Sequence, residues 1–324
     1  RTVLAANLSD LPPLGATGHY EIFVGGTSVG TFRINDQGVA TDLAGAPLTV
    51  TSSGTIFTRG IDLRGSNQVL LTIEPEGDTD PAPSGARLLF GTISADNAFL
   101  SLENDVRGRL GHQPLVSLNE AGAWFVLTSP SDDVDNDDND AQGVHFVSQG
   151  LLEGLTALGL PAPAAPVMEL GELPNNLVYE AWIIEDVAGR LAATGGRDRT
   201  QARFLSIGRF RDRFGNQFDS DVLGPQAGSD PLPLEGLRGW VGSDFVTQGP
   251  IGRGEDLSNG DFYVAISVEP VFDNDFSRPF TIILLGRIPE GGQAGSTIAR
   301  SLGSTFDLDN TLFRPPTARI QLLP

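Results

Sequence analysis

The densest group of side chains able to do chemistry is an acidic run at residues 131–140. It reads Ser-Asp-Asp-Val-Asp-Asn-Asp-Asp-Asn-Asp and contains eight carboxylates or amides in close succession. Oxygen ligands at alternating positions suit Ca²⁺, which takes about six to eight of them. Carboxylates this close together repel one another strongly unless a cation neutralises them. The run therefore predicts a Ca²⁺ loop with ligands from Asp132, Asp133, Asp135, Asp137, Asn139 and Asp140.

The same run departs from the EF-hand pattern that its spacing resembles at the start. Its sixth position is Asp138 where an EF-hand has Gly, and its twelfth is Val144 where an EF-hand has Glu. No flanking helices are predicted, so the run reads as a loop between two strands. A solvated acidic loop without metal is the alternative, and the sequence leaves both open.

Two pairs of glutamates occupy matching places in two similar parts of the chain: Glu21 with Glu180, and Glu74 with Glu269. A carboxylate pair in a β-sandwich cleft is the acid and base arrangement of glycosidases. However, each part carries its own set, which favours a role in the fold over a single active site. We expect these side chains to form hydrogen bonds at strand ends.

Serine and histidine patterns do not assemble into a catalytic or zinc site. The segment Gly26-Thr-Ser28-Val-Gly30 matches a nucleophile elbow, but that motif needs a strand running into a helix, and here it lies between two predicted strands. We predict a turn. His19, His112 and His145 are scattered along the chain, so we expect solvated or capping roles for them.

A cluster of arginines in this acidic chain is a candidate contact for a second subunit. We hypothesise that it meets the acidic loop of a neighbouring molecule, and the alternative is local pairing with Asp212, Asp219 and Asp221. Trp240, in a long insert, is a candidate surface contact, whereas Trp182 replaces Phe23 of the first copy and is expected in the core. The arginines of the cluster are Arg197, Arg199, Arg203, Arg209, Arg211 and Arg213.

The elements that must position these groups come from an internal repeat. One copy reads Val69-Leu-Leu-Thr-Ile-Glu74-Pro75 and then Leu88-Leu-Phe-Gly91; the other reads Val264-Ala-Ile-Ser-Val-Glu269-Pro270 and then Ile283-Leu-Leu-Gly286. The spacing from Glu-Pro to Gly is the same in both. Apolar, β-branched runs around a turn-rich connector predict a hairpin, and their recurrence predicts a duplicated structural unit.

Many short strand candidates separated by Gly- and Pro-rich turns predict an all-β protein with little helix. We expect two tandem β-sandwich domains of the immunoglobulin or jelly-roll type, produced by the duplication. The first is predicted at residues 1–94, with an N-terminal strand. The second is predicted at residues 95–324, with long inserts and the acidic loop 131–140.

Composition excludes several classes of function. The chain has 324 residues, no cysteine and a net charge of −20, and all of its basic residues are arginine. Disulfides, thiol nucleophiles and catalytic lysines are therefore excluded. The acidic balance disfavours binding to nucleic acid and to anionic membrane surfaces. The sequence has no run of about 18 apolar residues, so no membrane-spanning helix is predicted.

The beginning of the chain suggests a processed form and a strand available for pairing. The sequence starts at Arg1 rather than Met, so we expect that a signal peptide has been removed and that the protein is secreted to the cell surface or beyond. The strand candidate includes Thr2, Val3, Leu4 and Leu8. An exposed strand of this kind can complete the sheet of a neighbouring molecule.

Short motifs in both copies resemble the extracytoplasmic domain of the anti-sigma-K factor family. They are Leu11-Pro-Pro-Leu14, Tyr20-Glu-Ile-Phe-Val24, Ser28-Val-Gly30-x-Phe32 and Glu74-Pro75, and then Leu173-Pro174, Tyr179-Glu-Ala-Trp182, Ser206-Ile-Gly208-x-Phe210 and Glu269-Pro270. The resemblance implies an all-β, sandwich-like domain outside a bacterial cytoplasmic membrane. The membrane helix and the cytoplasmic zinc-type domain of a working anti-sigma factor have no counterpart in the sequence.

These observations together predict a non-enzymatic, secreted structural protein that assembles with copies of itself into an extracellular filament or surface layer. The alternative is an extracytoplasmic sensing or ligand-binding module of an envelope signalling system. A carbohydrate-active enzyme is the third reading. Ca²⁺ is the one cofactor that the sequence suggests, and the expected partner is a second copy, through the terminal strand and the charged loops.

Overall fold

The computed structural model describes residues 3–58, 62–101, 123–128, 143–146, 170, 173, 177–187, 189–193, 201–210, 244–245, 256–273, 277–288, 290, 306–308 and 316–323. Nearly all regular structure in these residues is β. The strands are β1 Val3–Ser9, β2 Gly18–Val24, β3 Thr27–Ile34, β4 Ala40–Thr41, β5 Val50–Thr51, β6 Gly54–Thr58, β7 Gln68–Pro75, β8 Arg87–Thr92, β9 Asn97–Ser101, β10 Ala123–Thr128, β11 Gly143–Phe146, β12 Leu177–Glu185, β13 Arg203–Phe210, β14 Asp244–Phe245, β15 Phe262–Pro270, β16 Thr281–Arg287, β17 Phe306–Leu308 and β18 Thr317–Leu323.

The largest sheet has ten strands in the order β4-β3-β2-β7-β8-β9-β18-β1-β6-β5. Its first and last strands belong to one hairpin, in which Thr41 forms an isolated bridge with Pro47 and the Leu48 N–H donates to the Ala40 carbonyl at 3.0 Å. This hairpin links the two edges, so the sheet curls back towards itself. Closure of this kind removes open edges that would otherwise pair with other chains.

Strands β1 and β18 are neighbours in the middle of this sheet. They pair antiparallel from Val3↔Leu323 to Ser9↔Thr317. β1 also pairs with β6, and β18 also pairs with β9. Both edges of β1 are therefore occupied within the chain, and the expectation that this strand is exposed is wrong for the folded chain.

Two four-stranded sheets complete the described architecture, in the orders β14-β11-β10-β17 and β13-β12-β15-β16. The central strands β12 and β15 are buried along almost their whole length. Strands covered on both faces carry continuous apolar runs instead of an alternating pattern, as Val-Tyr-Glu-Ala-Trp-Ile-Ile and Tyr-Val-Ala-Ile-Ser-Val show here.

The duplication is visible as two sets of four strands in the same order, β3-β2-β7-β8 and β13-β12-β15-β16. The registers agree: Glu21 faces Thr72 as Glu180 faces Ser267. Each set also has a register shift at the same two places, one between its first two strands in chain order and one in its closing hairpin. β-Bulges are specific features of a fold rather than defects, so the two sets share one design.

One hydrophobic core joins the sheets, and a second lies on the other face of β13-β12-β15-β16. The main core takes Tyr179 and Ile183 from β12, and the second core takes Trp182 and Ile184, as expected from the alternation of side chains along a strand. Trp182 is fully buried, which confirms its predicted place in the core. Stacked rings recur in both sets, Tyr20 with Phe32 and Tyr179 with Phe210, each with ring centroids 5.3 Å apart.

A single turn of α-helix, α1 at Arg190–Ala193, covers the second core with Leu191. The buried Asp186 carboxylate caps it by accepting hydrogen bonds from the backbone N–H groups of Arg190, at 3.1 Å, and Leu191, at 2.7 Å. Because the first N–H groups of a helix have no partner within the helix, a side-chain oxygen at this point stabilises it.

The all-β, sandwich-like fold class is confirmed. The ten-stranded sheet takes β9 and β18 from the range 95–324 and its other strands from the range 1–94. The division into two domains at residue 94 stays a prediction. None of the helices among the residues described is long and apolar enough to cross a membrane.

Candidate functional site

A buried polar cluster lies on the face of β13-β12-β15-β16 that is turned away from the main core. Its centre is the ion pair between Glu180 on β12 and Arg209 on β13, in which Arg209 Nε donates to Glu180 Oε2 at 2.7 Å. Ser206 Oγ donates to Glu180 Oε1 at 2.5 Å. Arg209 Nη1 donates to the Asp273 carbonyl at 2.8 Å, so the guanidinium also holds the connector that follows β15.

A second carboxylate, Glu269 on β15, lies beside this ion pair. The Phe280 N–H donates to its two oxygens at 2.8 and 3.0 Å, and the Ser267 hydroxyl contacts Oε1. Trp182 Nε1 donates to Ser267 Oγ at 2.8 Å. Glu180 pairs with Ser267, two residues from Glu269, and diagonal neighbours of this kind lie roughly 7–8 Å apart.

We call the group of Glu180, Arg209, Glu269, Ser206 and Ser267 the buried cluster. Burial dominates the electrostatics of this cluster. Each of these side chains is at most 1% exposed. Burial raises the pKa of the Glu180 carboxyl to about 7, against the attraction of Arg209 and the hydrogen bond from Ser206. Burial also raises the pKa of the Glu269 carboxyl well above its usual range, and the charge of Glu180 adds to that shift.

The first copy contains the same cluster without the cation. Ser28 Oγ donates to Glu21 Oε1, and the Thr72 hydroxyl contacts Glu74 Oε1, in the places of Ser206 with Glu180 and Ser267 with Glu269. Thr31 takes the place of Arg209, since it faces Glu21 as Arg209 faces Glu180. Burial raises the pKa of the Glu74 carboxyl.

The contacts of these groups are all with other parts of the chain. Glu180 and Glu269 are closed off from solvent, and their oxygens accept hydrogen bonds from Ser206, Arg209 and the Phe280 backbone. The expected hydrogen bonding is confirmed for Glu21, Glu74, Glu180 and Glu269. The expected place at strand ends is confirmed for Glu74 and Glu269 and is wrong for Glu21 and Glu180, which lie within β2 and β12. In this conformation the arrangement ties strands together, and Glu180 and Glu269 are buried away from solution.

Other residues singled out by their sequence take structural positions. Ser28 lies in β3 of a β2–turn–β3 hairpin, so the predicted turn is confirmed and the strand-to-helix elbow is absent there. His19 is only 6% exposed, so the expectation of a solvated side chain is wrong for His19.

The predicted assembly residues divide into two groups. Among those that the structure describes, Leu4 is fully buried, and Val3 and Leu8 are partly exposed in a strand paired on both sides. Arg209 is buried and paired with Glu180 of its own chain, which corrects its predicted contact with a second subunit. The remaining members, Thr2, Arg211, Arg213 and Trp240, lie outside the described residues.

The predicted Ca²⁺ loop lies outside the described residues as well. This applies to all six ligands, Asp132, Asp133, Asp135, Asp137, Asn139 and Asp140. In the part of the chain that the structure describes, no group of three or more His, Asp or Glu side chains is placed to hold a metal ion. The Ca²⁺ site stays a prediction.

The exposed surface of the first copy carries an apolar hairpin, residues 39–50, which connects β3 to β6. Val39, Leu43 and Val50 are 40, 43 and 64% exposed. They are three of the five large hydrophobic side chains that are exposed among the described residues; the others are Phe99 and Val187. All three lie in one connecting segment, and exposed apolar groups that form a contiguous patch mark a contact surface.

Sequence reasoning missed the Glu180–Arg209 ion pair, because it assigned Arg209 to a surface cluster. The signal was the comparison of the copies: Ser28-Val-Gly-Thr and Ser206-Ile-Gly-Arg differ at the residue that faces the repeated glutamate. Comparison of the chain with protein-family models, with curated proteins and with solved structures gives no match.

Proposed function

We propose that this chain is a non-enzymatic structural protein of the cell surface or extracellular space, and that it assembles with copies of itself into a filament or surface layer. The observation that carries the proposal is the pair of matched clusters. The glutamates best suited to acid–base chemistry are repeated in both copies, and in the second copy they are buried and bonded within the fold. The resemblance to anti-sigma outer domains supports an extracytoplasmic β module.

The apolar hairpin supports a contact with a second copy. It places Val39, Leu43 and Val50 in solvent on a segment that is fixed at both ends, since the Leu48 N–H bonds to Ala40 and the Ile56 N–H bonds to Thr49. A fixed apolar surface loses little conformational entropy when it is covered, because its residues are already ordered.

The pairing of β1 with β18 supports a second route to assembly, the exchange of a strand between molecules. A strand that pairs with a sheet in its own chain can make the same hydrogen bonds in another copy, which is the basis of domain swapping. The buried alternation of Ala318, Ile320 and Leu322 would then be preserved in the acceptor.

The first experiment measures assembly directly. Light scattering and negative-stain microscopy of the full chain should detect polymers, and Val50→Asp together with Leu43→Asp should reduce them because the charges oppose burial. Val187→Asp is the matched control, because Val187 is 67% exposed on a different segment. A chain that stays monomeric at high concentration contradicts the proposal and favours the sensing module.

The second experiment distinguishes pairing within a chain from exchange between chains. Asn7 and Arg319 face each other across β1 and β18, and the chain has no cysteine of its own. Residues directly opposite on antiparallel strands are close enough for a disulfide. Oxidised Asn7→Cys/Arg319→Cys protein should be cross-linked between chains in the polymer. Cross-links confined to single chains in a polymer exclude strand exchange.

A further inference from the structure

The buried cluster contains more acid than base. Among the described residues, the buried carboxyls of Glu180 on β12 and Glu269 on β15 lie beside one cation, Arg209 on β13. The charge of Asp273, in the connector after β15, also acts on Glu269. An isolated buried charge is costly, and a group in that position takes up or releases a proton instead of remaining charged. Two buried carboxyls beside one guanidinium therefore favour protonation of one of them.

The hydrogen bonds around Ser267 favour Glu269. Its hydroxyl accepts from Trp182 Nε1 and contacts two further oxygens, Glu269 Oε1 and, at 3.4 Å, the Glu180 carbonyl. Serine has one hydrogen to donate, so it serves only one of these oxygens. If Glu269 is protonated, its carboxyl O–H donates to Ser267 Oγ. The Ser267 hydroxyl then donates to the backbone carbonyl of Glu180. Every contact then has a hydrogen.

The first copy repeats this arrangement. The Thr72 hydroxyl contacts Glu74 Oε1 and, at 3.4 Å, the Glu21 carbonyl. Glu74 Oε2 is buried, and the described residues provide no hydrogen bond to it. A buried oxygen without a donor fits a neutral acid better than a carboxylate, because burial of an unsolvated charge is costly.

We propose that Glu269 is held as a neutral acid beside the Glu180–Arg209 ion pair, and that loss of its proton weakens the attachment of the 270–280 connector to β12, β13 and β15. The connector is held to the cluster by the Asp273 carbonyl and the Phe280 N–H. Ionised Glu269 adds a further negative charge beside Glu180 and Asp273, with Arg209 already paired. The second set of strands is thereby responsive to pH.

The direction of the pH effect follows from the proton balance. Between the ordinary pKa of an unfolded glutamate, about 4.3, and its raised value in the fold, Glu269 binds a proton in the folded chain and none in the unfolded chain. Stability is therefore greatest at mildly acidic pH and falls as the pH rises. Over that interval, with one extra proton bound in the folded chain, each unit rise in pH lowers the ratio of folded to unfolded chain by about tenfold.

The test uses full-length chain with Glu269→Gln, and Glu290→Gln as the control, since Glu290 is exposed. Infrared spectra near pH 8, above the pKa of about 7 of Glu180, should show the carbonyl band of protonated carboxylic acid in the parent chain, weaker in Glu269→Gln and unchanged in the control. Denaturant unfolding at several pH values should show a shallower decline in Glu269→Gln. The control also accounts for repulsion among the charges of this −20 chain.

Sharing of the proton with Glu180 has its own test. In Glu180→Gln, Arg209 loses the carboxylate of Glu180 and Glu269 is left beside it, so Glu269 should ionise and the acid band should again weaken. An acid band of equal intensity in the parent chain and Glu269→Gln overturns the proposal, as does an unfolding profile parallel to that of the parent. Glu74→Gln provides a second measurement in the first copy if the Glu269 variant does not fold.

Discussion

The two copies differ most informatively at one residue position. Arg209 in the second copy stands where Thr31 stands in the first, facing the repeated glutamate in each case. Glu180, which faces Arg209, is fully buried, whereas Glu21 is partly exposed. A carboxylate can stay charged in water without a cation, but a buried one needs a partner. The arginine therefore accompanies the deeper burial of the second copy.

Replacement of Arg209 should be strongly destabilising. Arg209→Met leaves Glu180 buried without its cation, a change that typically costs about 3–5 kcal/mol of unfolding free energy. Loss of the cation favours the neutral form of Glu180, so the cost should be greater at pH 8 than at pH 5. Denaturant unfolding measures both. Thr31→Ala is the control, and a loss of similar size in both variants would refute the role of the ion pair.

At this scale the sequence predicted the types of residue better than their partners. Matching of the copies identified the four glutamates and the exchange of Phe23 for Trp182. It did not identify Arg209 as the partner of Glu180, because the two are separated by 29 positions along the chain. Neighbouring arginines suggested a charged surface, and only the strand register reveals that Arg209 points into the protein.

Short elements depend on single side chains for their stability, and α1 illustrates this. Asp186→Ala removes two hydrogen bonds to its first turn and should cost about 0.5–2 kcal/mol. Asp256→Ala is the comparison, because Asp256 caps a 3-10 helix at Leu257–Asn259 on the exposed surface. Thermal unfolding should show the larger loss for Asp186→Ala. Equal losses would mean that burial of the cap has no effect.

The hairpin β8–β9 depends on close approach at Gly91. A Cβ atom at this position would lie 2.5 Å from the Phe99 carbonyl oxygen and 2.9 Å from Leu100 Cδ1. Gly91→Ala therefore has to push the two strands apart, and overpacking of this kind costs about 1–3 kcal/mol. Thr92→Ala, at an exposed neighbour, should change the unfolding free energy by less than about 0.5 kcal/mol. A neutral Gly91→Ala would contradict this explanation.

Hairpins were predictable from the sequence, while their arrangement was not. The run Val69 to Ile93 predicted a strand, connector and strand, and β7 and β8 have that form. The neighbours of β18 were not predictable, because they are β9 and β1, which lie more than 200 residues away along the chain. Alternation identifies the buried face of a strand and contains no information about its distant partner.

At the scale of the molecule, the acidic balance predicts a response to divalent cations. If the loop at residues 131–140 binds Ca²⁺, saturating Ca²⁺ should raise the unfolding temperature, since a ligand at 100 times its Kd stabilises by about 2.7 kcal/mol. Mg²⁺ at the same concentration controls for screening of the net charge. The double variant Asp133→Asn/Asp135→Asn should abolish the effect of Ca²⁺ and leave the effect of Mg²⁺ unchanged. Equal shifts with both ions would contradict a specific site.

The overall class was predictable because turn residues and β-branched runs recur along the whole chain, as in Gly25-Gly26 between β2 and β3. The curled ten-stranded sheet was not predictable, because it depends on the hairpin of residues 39–50 and on the β1–β18 pair. Both features join parts of the chain whose sequences contain no matching motif.

The antiparallel pairing of Val3 with Leu323 has a mechanical consequence. Tension applied to these two residues acts across the strands, so the hydrogen bonds between β1 and β18 would break one after another and not all together. The force needed to separate β1 from β18 is therefore low when it is applied at these residues, even though both strands lie at the centre of the sheet. A filament built from this protein would resist stretching only if the load entered each subunit elsewhere.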